Sequence, residues 1–141
     1  MLVDANILLF AADRTSPHHA PSSHWLETAL GGIARVGLPW ESLVAFVRIA
    51  TNPRVMRDPV TTMTAWGQVR DWLAAPAAWV PTPTVRHDEV LGALLEQSGV
   101  TGDLVHDAHL AALAIEHGVP ICSADSDFAR FRAVEWVNPL G

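Results

Sequence analysis

Four acidic residues, Asp4, Glu41, Asp107 and Asp125, are of the type that can hold a divalent cation. Carboxylates gathered without a cation repel one another, and some of them stay protonated near neutral pH. With Mg2+ or Mn2+ among them, ligation by oxygen alone with retained waters is what the ion prefers. The chemistry that follows is hydrolysis of a phosphodiester: the ion lowers the pKa of a water, orients the phosphate and offsets developing charge.

Asp107 carries most of this on physical grounds. A helix expected over 103–117 has an apolar stripe of Leu104, Ala108, Ala111, Ala112 and Ile115, and Asp107 falls within it. An ionised carboxylate on an inward face costs of the order of several kcal/mol unless a cation meets it. The chain has no lysine to do so, since its nine basic residues are all arginine. A divalent ion would, and Asp103, one turn earlier, can add a second oxygen donor or can simply cap the helix.

The absence of lysine also excludes a P-loop and Schiff-base chemistry, and it argues against an alternative reading, a phosphatase or receiver-like acid cluster, since a receiver's lysine has no counterpart. Net charge is −6, the wrong sign for a phosphate-binding surface unless some acids form a metal site that locally reverses the field. At 141 residues, half of them apolar and 17% charged, the chain is expected to be one globular domain over 1–141. The single Cys122 allows no internal disulfide and reads as a buried small side chain. Asp4 and Asn6 interrupt the N-terminal apolar stretch before a signal sequence could form, so a soluble, cytoplasmic protein is expected.

The elements that must position these acids alternate. Short strands are expected at Leu2-Val3, over 36–39, at Trp79-Val80, over 119–122 and over 134–137. Between them, helices are expected over 24–30, from Trp40 to the Asn52-Pro53 stop, from Thr61 or Thr62 to Pro76, over 86–97 and over 103–117. The segment 13–23, with two prolines and a His pair, reads as a loop, Asp58-Pro59 as the start of an element, and Ser98-Gly99 as a helix stop. This pattern gives an α/β fold with a mainly parallel sheet of about five short strands. Asp4, Glu41 and Asp125 then follow strands, and Asp107 lies in the first turns of a helix. In open α/β sheets ligands bind outside the carboxyl ends of the strands, so the four acids converge on one rim.

Each feature has a plainer explanation alongside. Asp4 and Asn6 can cap the element after the first strand, Glu41 can be a surface acid favoured by a helix dipole, and Asp127 can serve a turn. His18, His19, His24, His106 and His109 raise the alternative of a zinc site, but no Cys/His ligand spacing is present. Of the six tryptophans, Trp66 and Trp72 are at near-helical spacing and are expected in core or dimer packing. Trp40, beside Glu41, is the candidate for stacking on single-stranded bases, and Arg54 and Arg57 are candidate phosphate anchors.

Taken together, Val3-Asp4-Ala5-Asn6, Glu41 opening a helix, the run from Asp107 to Ala114, and Ser123-Ala124-Asp125-Ser126-Asp127-Phe128 resemble the PIN-domain nucleases. The likeness is closest to the VapC toxins of bacterial toxin–antitoxin pairs, and the run from Arg48 to Val55 resembles one branch of them. The resemblance implies a three-layer α/β/α fold, Mg2+- or Mn2+-dependent endoribonuclease activity, and a homodimer inhibited by a cognate antitoxin. It matches Asp4, Glu41 and Asp107 to the core acids and Asp125 to a more variable fourth. Asn6 and Ser123 match supporting polar positions and Asp127 a second acid near the fourth, so either Asp125 or Asp127 can face the metal. Asp103 departs from the polar residue that relatives often carry there. The competing expectation is a PIN-like module that binds RNA or a partner without catalysis.

Overall fold

In the computed structural model, which describes residues 1–97 and 99–141, five two-residue strands form one parallel sheet. They are β1 (Leu2–Val3), β2 (Val36–Gly37), β3 (Ala78–Trp79), β4 (Ile121–Cys122) and β5 (Trp136–Val137), in the order β3-β2-β1-β4-β5. Leu2 is in register with Gly37 on one side and Ile121 on the other, and Val3 with Cys122. The order reverses between β1 and β4, which makes their carboxyl ends the crevice where such sheets bind ligands.

Side-chain alternation along the strands divides the core into two layers. Val3 and Cys122 face one layer, packed with Ile7, Leu8, Leu26, Leu43, Phe46 and Trp72 from helices α1 (Ala5–Ala12), α2 (His19–Leu30), α3 (Trp40–Ala50) and α4 (Thr62–Ala74). Leu2 and Ile121 face the other, packed with Val90, Leu94, Leu110, Leu113 and Phe128 from α5 (His87–Leu95), α6 (Asp103–His117) and a 3-10 turn at Ser126–Arg130. The result is the expected α/β/α arrangement. Cys122 is fully buried, and burial pushes its thiol up to about 12, as befits a small apolar filler.

Several boundaries differ from the sequence expectation. Helix α2 begins at His19, inside the segment read as a loop. Pro21 is its third residue, where the backbone N–H has no intrahelical acceptor and proline costs nothing. The His pair serves the preceding helix: His19 Nδ1 lies 3.1 Å from the carbonyl of Phe10, and the His18 ring packs on the Phe10 ring. Asp58-Pro59 starts no element. Helix α4 instead begins after Thr61, whose hydroxyl accepts from the Thr64 N–H. Strand β3 sits one residue earlier than expected, α5 stops at Leu95, and the turn at Ser126–Arg130 was not foreseen. Ser98 lies outside the described residues.

Helix α6 matches its expected limits. Its central alanines let it lie close on the sheet, and Gly118 ends it with φ +65°. Gly102 precedes it with φ +59°, ψ −129°, a backbone conformation that residues with a Cβ rarely adopt. Gly102 therefore takes the N-cap position, and Asp103 is the first helical residue rather than the cap. No described helix is long and apolar enough to cross a membrane.

Candidate active site

Asp4 leaves the end of β1 and is the N-cap of α1: its Oδ1 accepts from the Ala5 N–H at 2.8 Å. Its capping role is thus real, but the second oxygen points elsewhere. Oδ2 accepts from Ser123 Oγ at 2.8 Å and from Asn6 Nδ2 at 3.3 Å. Asn6 Nδ2 also donates to Ser123 Oγ, and Asn6 Oδ1 accepts from the Ala124 N–H at 3.2 Å. Ser123 Oγ accepts in turn from the Asp125 N–H at 3.0 Å. Asp4, Asn6 and Ser123 thus tie the ends of β1 and β4 into one polar frame. Burial raises the Asp4 carboxyl, against the lowering by Ser123 and Ala5.

Asp125 caps the 3-10 turn, its Oδ1 accepting from the Asp127 N–H at 2.9 Å. This local fold brings Asp127 alongside. Carboxylate oxygens of Asp107, Asp125 and Asp127 lie within 4.8 Å of one another, so both acids of the 125/127 pair join the cluster. Asp107 is pushed up to about 7, first by burial and then by Asp125, Asp4, Asp127 and Asp103. Its place on the inner part of α6 is the one inferred from helical phase. Among the described residues, the group able to hold a metal is all-carboxylate, which leaves the histidine-based zinc alternative without a cluster.

Glu41, in the first turn of α3, is held differently. Its Oε1 lies 3.5 Å from His109 Nε2, and its Oε2 is buried with no hydrogen-bond partner among the described residues. Contact with His109 lowers its carboxyl, against the raising effect of burial. The three clustered aspartates, with Asp107 pushed up by burial and its acidic neighbours, are a donor set that a hard divalent cation fits, while Glu41 with its unpartnered oxygen lies outside that group of three.

Of the candidate RNA contacts, Trp40 is 41% exposed next to Glu41 and stacks on Trp66, with ring centroids 6.1 Å apart. Trp66 is itself 37% exposed and is no core residue, whereas Trp72 is buried edge-on against Phe46 as expected. Arg54 and Arg57 lie exposed beyond the other end of α3, whose axis runs about 13.5 Å from Glu41 to its last residue, Ala50, at about 1.5 Å per residue. The structure does not gather them with the acids. Sequence reasoning overlooked His87 and Glu116, which contact each other, His87 also meeting His109. Their one readable signal is the spacing of His109 and Glu116, seven residues and two turns apart on one helix.

Comparison with known proteins agrees with this geometry. Residues 1–134 match the PIN domain family. The chain is similar to Ribonuclease VapC37 of Mycobacterium tuberculosis (strain ATCC 25618 / H37Rv), with 51% identity over 98% of this chain and 96% of the relative. It is also similar to Ribonuclease VapC33 of M. tuberculosis (strain CDC 1551 / Oshkosh), with 37% identity over 99% and 98%. Among solved structures, its fold is similar to that of VapBC2 from Rickettsia felis bound to a promoter DNA fragment. The TM-score is 0.69 at 14% identity, over 97% of this chain and 96% of that one. FitAB bound to DNA gives a TM-score of 0.62 at 14% identity, over 99% and 95%.

Proposed function

The chain belongs to the PIN-domain family, and from that premise we infer that it is a Mg2+- or Mn2+-dependent endoribonuclease, the toxin of a toxin–antitoxin pair. The single observation that carries this reading is the convergence of Asp107, Asp125 and Asp127 to within 4.8 Å. The ribonuclease relatives that match nearly end to end support it.

In this reading residues 1–141 form one nuclease domain. Asp4, Asp107, Asp125 and Glu41 hold the metal and are the catalytic acids, with Asp103 and Asp127 beside them. A divalent ion bound there supplies Lewis-acid stabilisation of phosphate charge and lowers the pKa of water. Asn6 and Ser123 orient Asp4 by hydrogen bonds, and Glu41 keeps one oxygen free for the site. Trp40 offers a stacking face to a base, and Arg54 and Arg57 can meet phosphates only of an RNA that runs along α3. The acidic balance of the chain then fits an RNA substrate, because the metal and not a basic surface offsets the phosphate charge.

The partners proposed are RNA, a cognate antitoxin and a second copy of the chain, in the cytoplasm. An acidic cleft is a natural target for an arginine or lysine of an antitoxin, which would compete with the cation. The test is cleavage of RNA by the purified chain. Cleavage is expected with Mg2+ or Mn2+, and is expected to stop on chelation and return when the ion is restored. Equal cleavage by chelated protein contradicts the metal-dependent reading, and metal binding without cleavage of any RNA favours the binding module.

A further inference from the structure

A line of contacts runs from the end of α6 to the candidate active site and uses residues that the proposed chemistry does not. Glu116 Oε2 lies 2.6 Å from His87 Nδ1, His87 Nε2 lies 3.0 Å from His109 Nδ1, and His109 Nε2 lies 3.5 Å from Glu41 Oε1. Three helices supply the line: α6 gives Glu116 and His109, α5 gives His87, and α3 gives Glu41.

The geometry is built rather than incidental. His109 and Glu116 are seven residues apart on one helix, so about 10.5 Å of axis separates them. The imidazole of His87 bridges that gap, meeting the His109 ring edge-on at 4.8 Å and 85°. Glu116 is fixed in turn: its other oxygen accepts from the Thr84 N–H at 2.9 Å and the Thr84 hydroxyl at 2.7 Å, and its side chain is fully covered. A tie between α5 and α6 would need only Glu116, Thr84 and one nitrogen of His87. The second nitrogen of His87 is spent on His109, whose remaining nitrogen faces Glu41. Chains of this kind fix the orientation of a ring, as carboxylates do for histidines beside metals.

We propose that His87 and Glu116 are positioning residues for Glu41, acting through the ring of His109. This rests on the reading of Glu41 as a member of the active site. With His109 held from behind, Glu41 keeps Oε1 engaged and Oε2 unpartnered; without it, both histidine and glutamate are free to swing.

The test uses the full chain and a variant that keeps the packing, His87→Phe, which fills the ring volume without nitrogens. In metal-free protein, 15N imidazole spectra are expected to show His109 with slowly exchanging, hydrogen-bonded ring nitrogens, and this signature is expected to be lost in His87→Phe. The variant is expected to bind Mn2+ about 10-fold more weakly and to lower kcat about 10-fold with KM for RNA unchanged. Glu116→Ala, acting from the opposite end, is expected to do the same. His87→Phe combined with His109→Ala is expected to be no slower than His109→Ala alone. Additive losses, or a His109 ring signal indifferent to His87→Phe, would overturn the proposal and leave the trio as a tie between helices. The ring spectra and Mn2+ affinity need no cleavage. A parent chain that cuts no RNA therefore counts against the proposed function, while those two measurements still decide the positioning role.

Discussion

Ser123 Oγ donates to Asp4 Oδ2 across 2.8 Å, joining two buried residues that are 119 positions apart in the chain. The bond exists because β1 and β4 are parallel neighbours and each polar residue directly follows its strand. It links the fold to the site: the order of the strands decides which acid meets which hydroxyl.

Ser123→Ala is therefore expected to lower stability by about 1–3 kcal/mol in urea unfolding, because Asp4 Oδ2 keeps only the longer bond from Asn6. Burial already raises the Asp4 carboxyl, and the Ser123 bond is the largest opposing effect. Its loss raises the carboxyl further, so Mn2+ binding by the variant is expected to need higher pH than in the parent. An unchanged pH dependence would show that Asp4 does not depend on Ser123.

Asp107 makes the metal-free protein less stable as pH rises. Its value of about 7 in the folded chain lies above the ordinary 3.8, so between these pH values the folded state retains a proton that the unfolded state releases. Stability is expected to fall from pH 4 through pH 7 in the presence of chelator, and Asp107→Asn is expected to flatten that slope. Urea midpoints at pH 5 and pH 8 check it. A metal-free parent that gains stability over this window through the site acids would contradict the arrangement.

Gly102→Ala tests how α6 is started. Among the described residues nothing lies within 4 Å of an added Cβ. The cost is conformational, about 1–3 kcal/mol for a residue with a side chain at φ +59°. Thermal unfolding is expected to show that loss, and Mn2+ affinity is expected to fall with it, since Asp103 and Asp107 lie within two turns of the strained position.

How much of this could be read from the sequence depended on the range of the cause. Asp107 was legible because helical phase is local: its neighbours three and four residues away already place it inside. The strand ends at Val3 and Cys122 were legible for the same reason, and with them the rim that gathers Asp4 and Asp125. The start of α2 was not, because Pro21 reads as a breaker unless it is known to occupy the first turn. Nor was the place of Asp127, which follows from Asp125 capping a 3-10 turn that no periodicity announces. The pairing of His87 with Glu116 was not legible, because 29 residues separate them and only the packing of α5 on α6 brings them together; the spacing of His109 and Glu116 along α6 was the one local signal.

Trp40→Ala examines the proposed RNA face. Loss of one base stacked on the exposed ring is expected to weaken RNA binding by about 1–3 kcal/mol, read as a higher KM with kcat retained. Unchanged KM, with a shift in oligomeric state, would instead assign the Trp40–Trp66 pair to contact between protein chains.

The central claim is that the carboxylate cluster is a metal centre that cuts RNA, and Asp107→Asn tests it most directly. The measurement is Mn2+ binding by calorimetry together with RNA cleavage, on a variant shown by circular dichroism to be folded. Both are expected to collapse, with cleavage down by more than about 100-fold, because one central ligand is gone and the shape is kept. A folded Asp107→Asn protein that binds Mn2+ and cleaves RNA as the parent does would contradict the account.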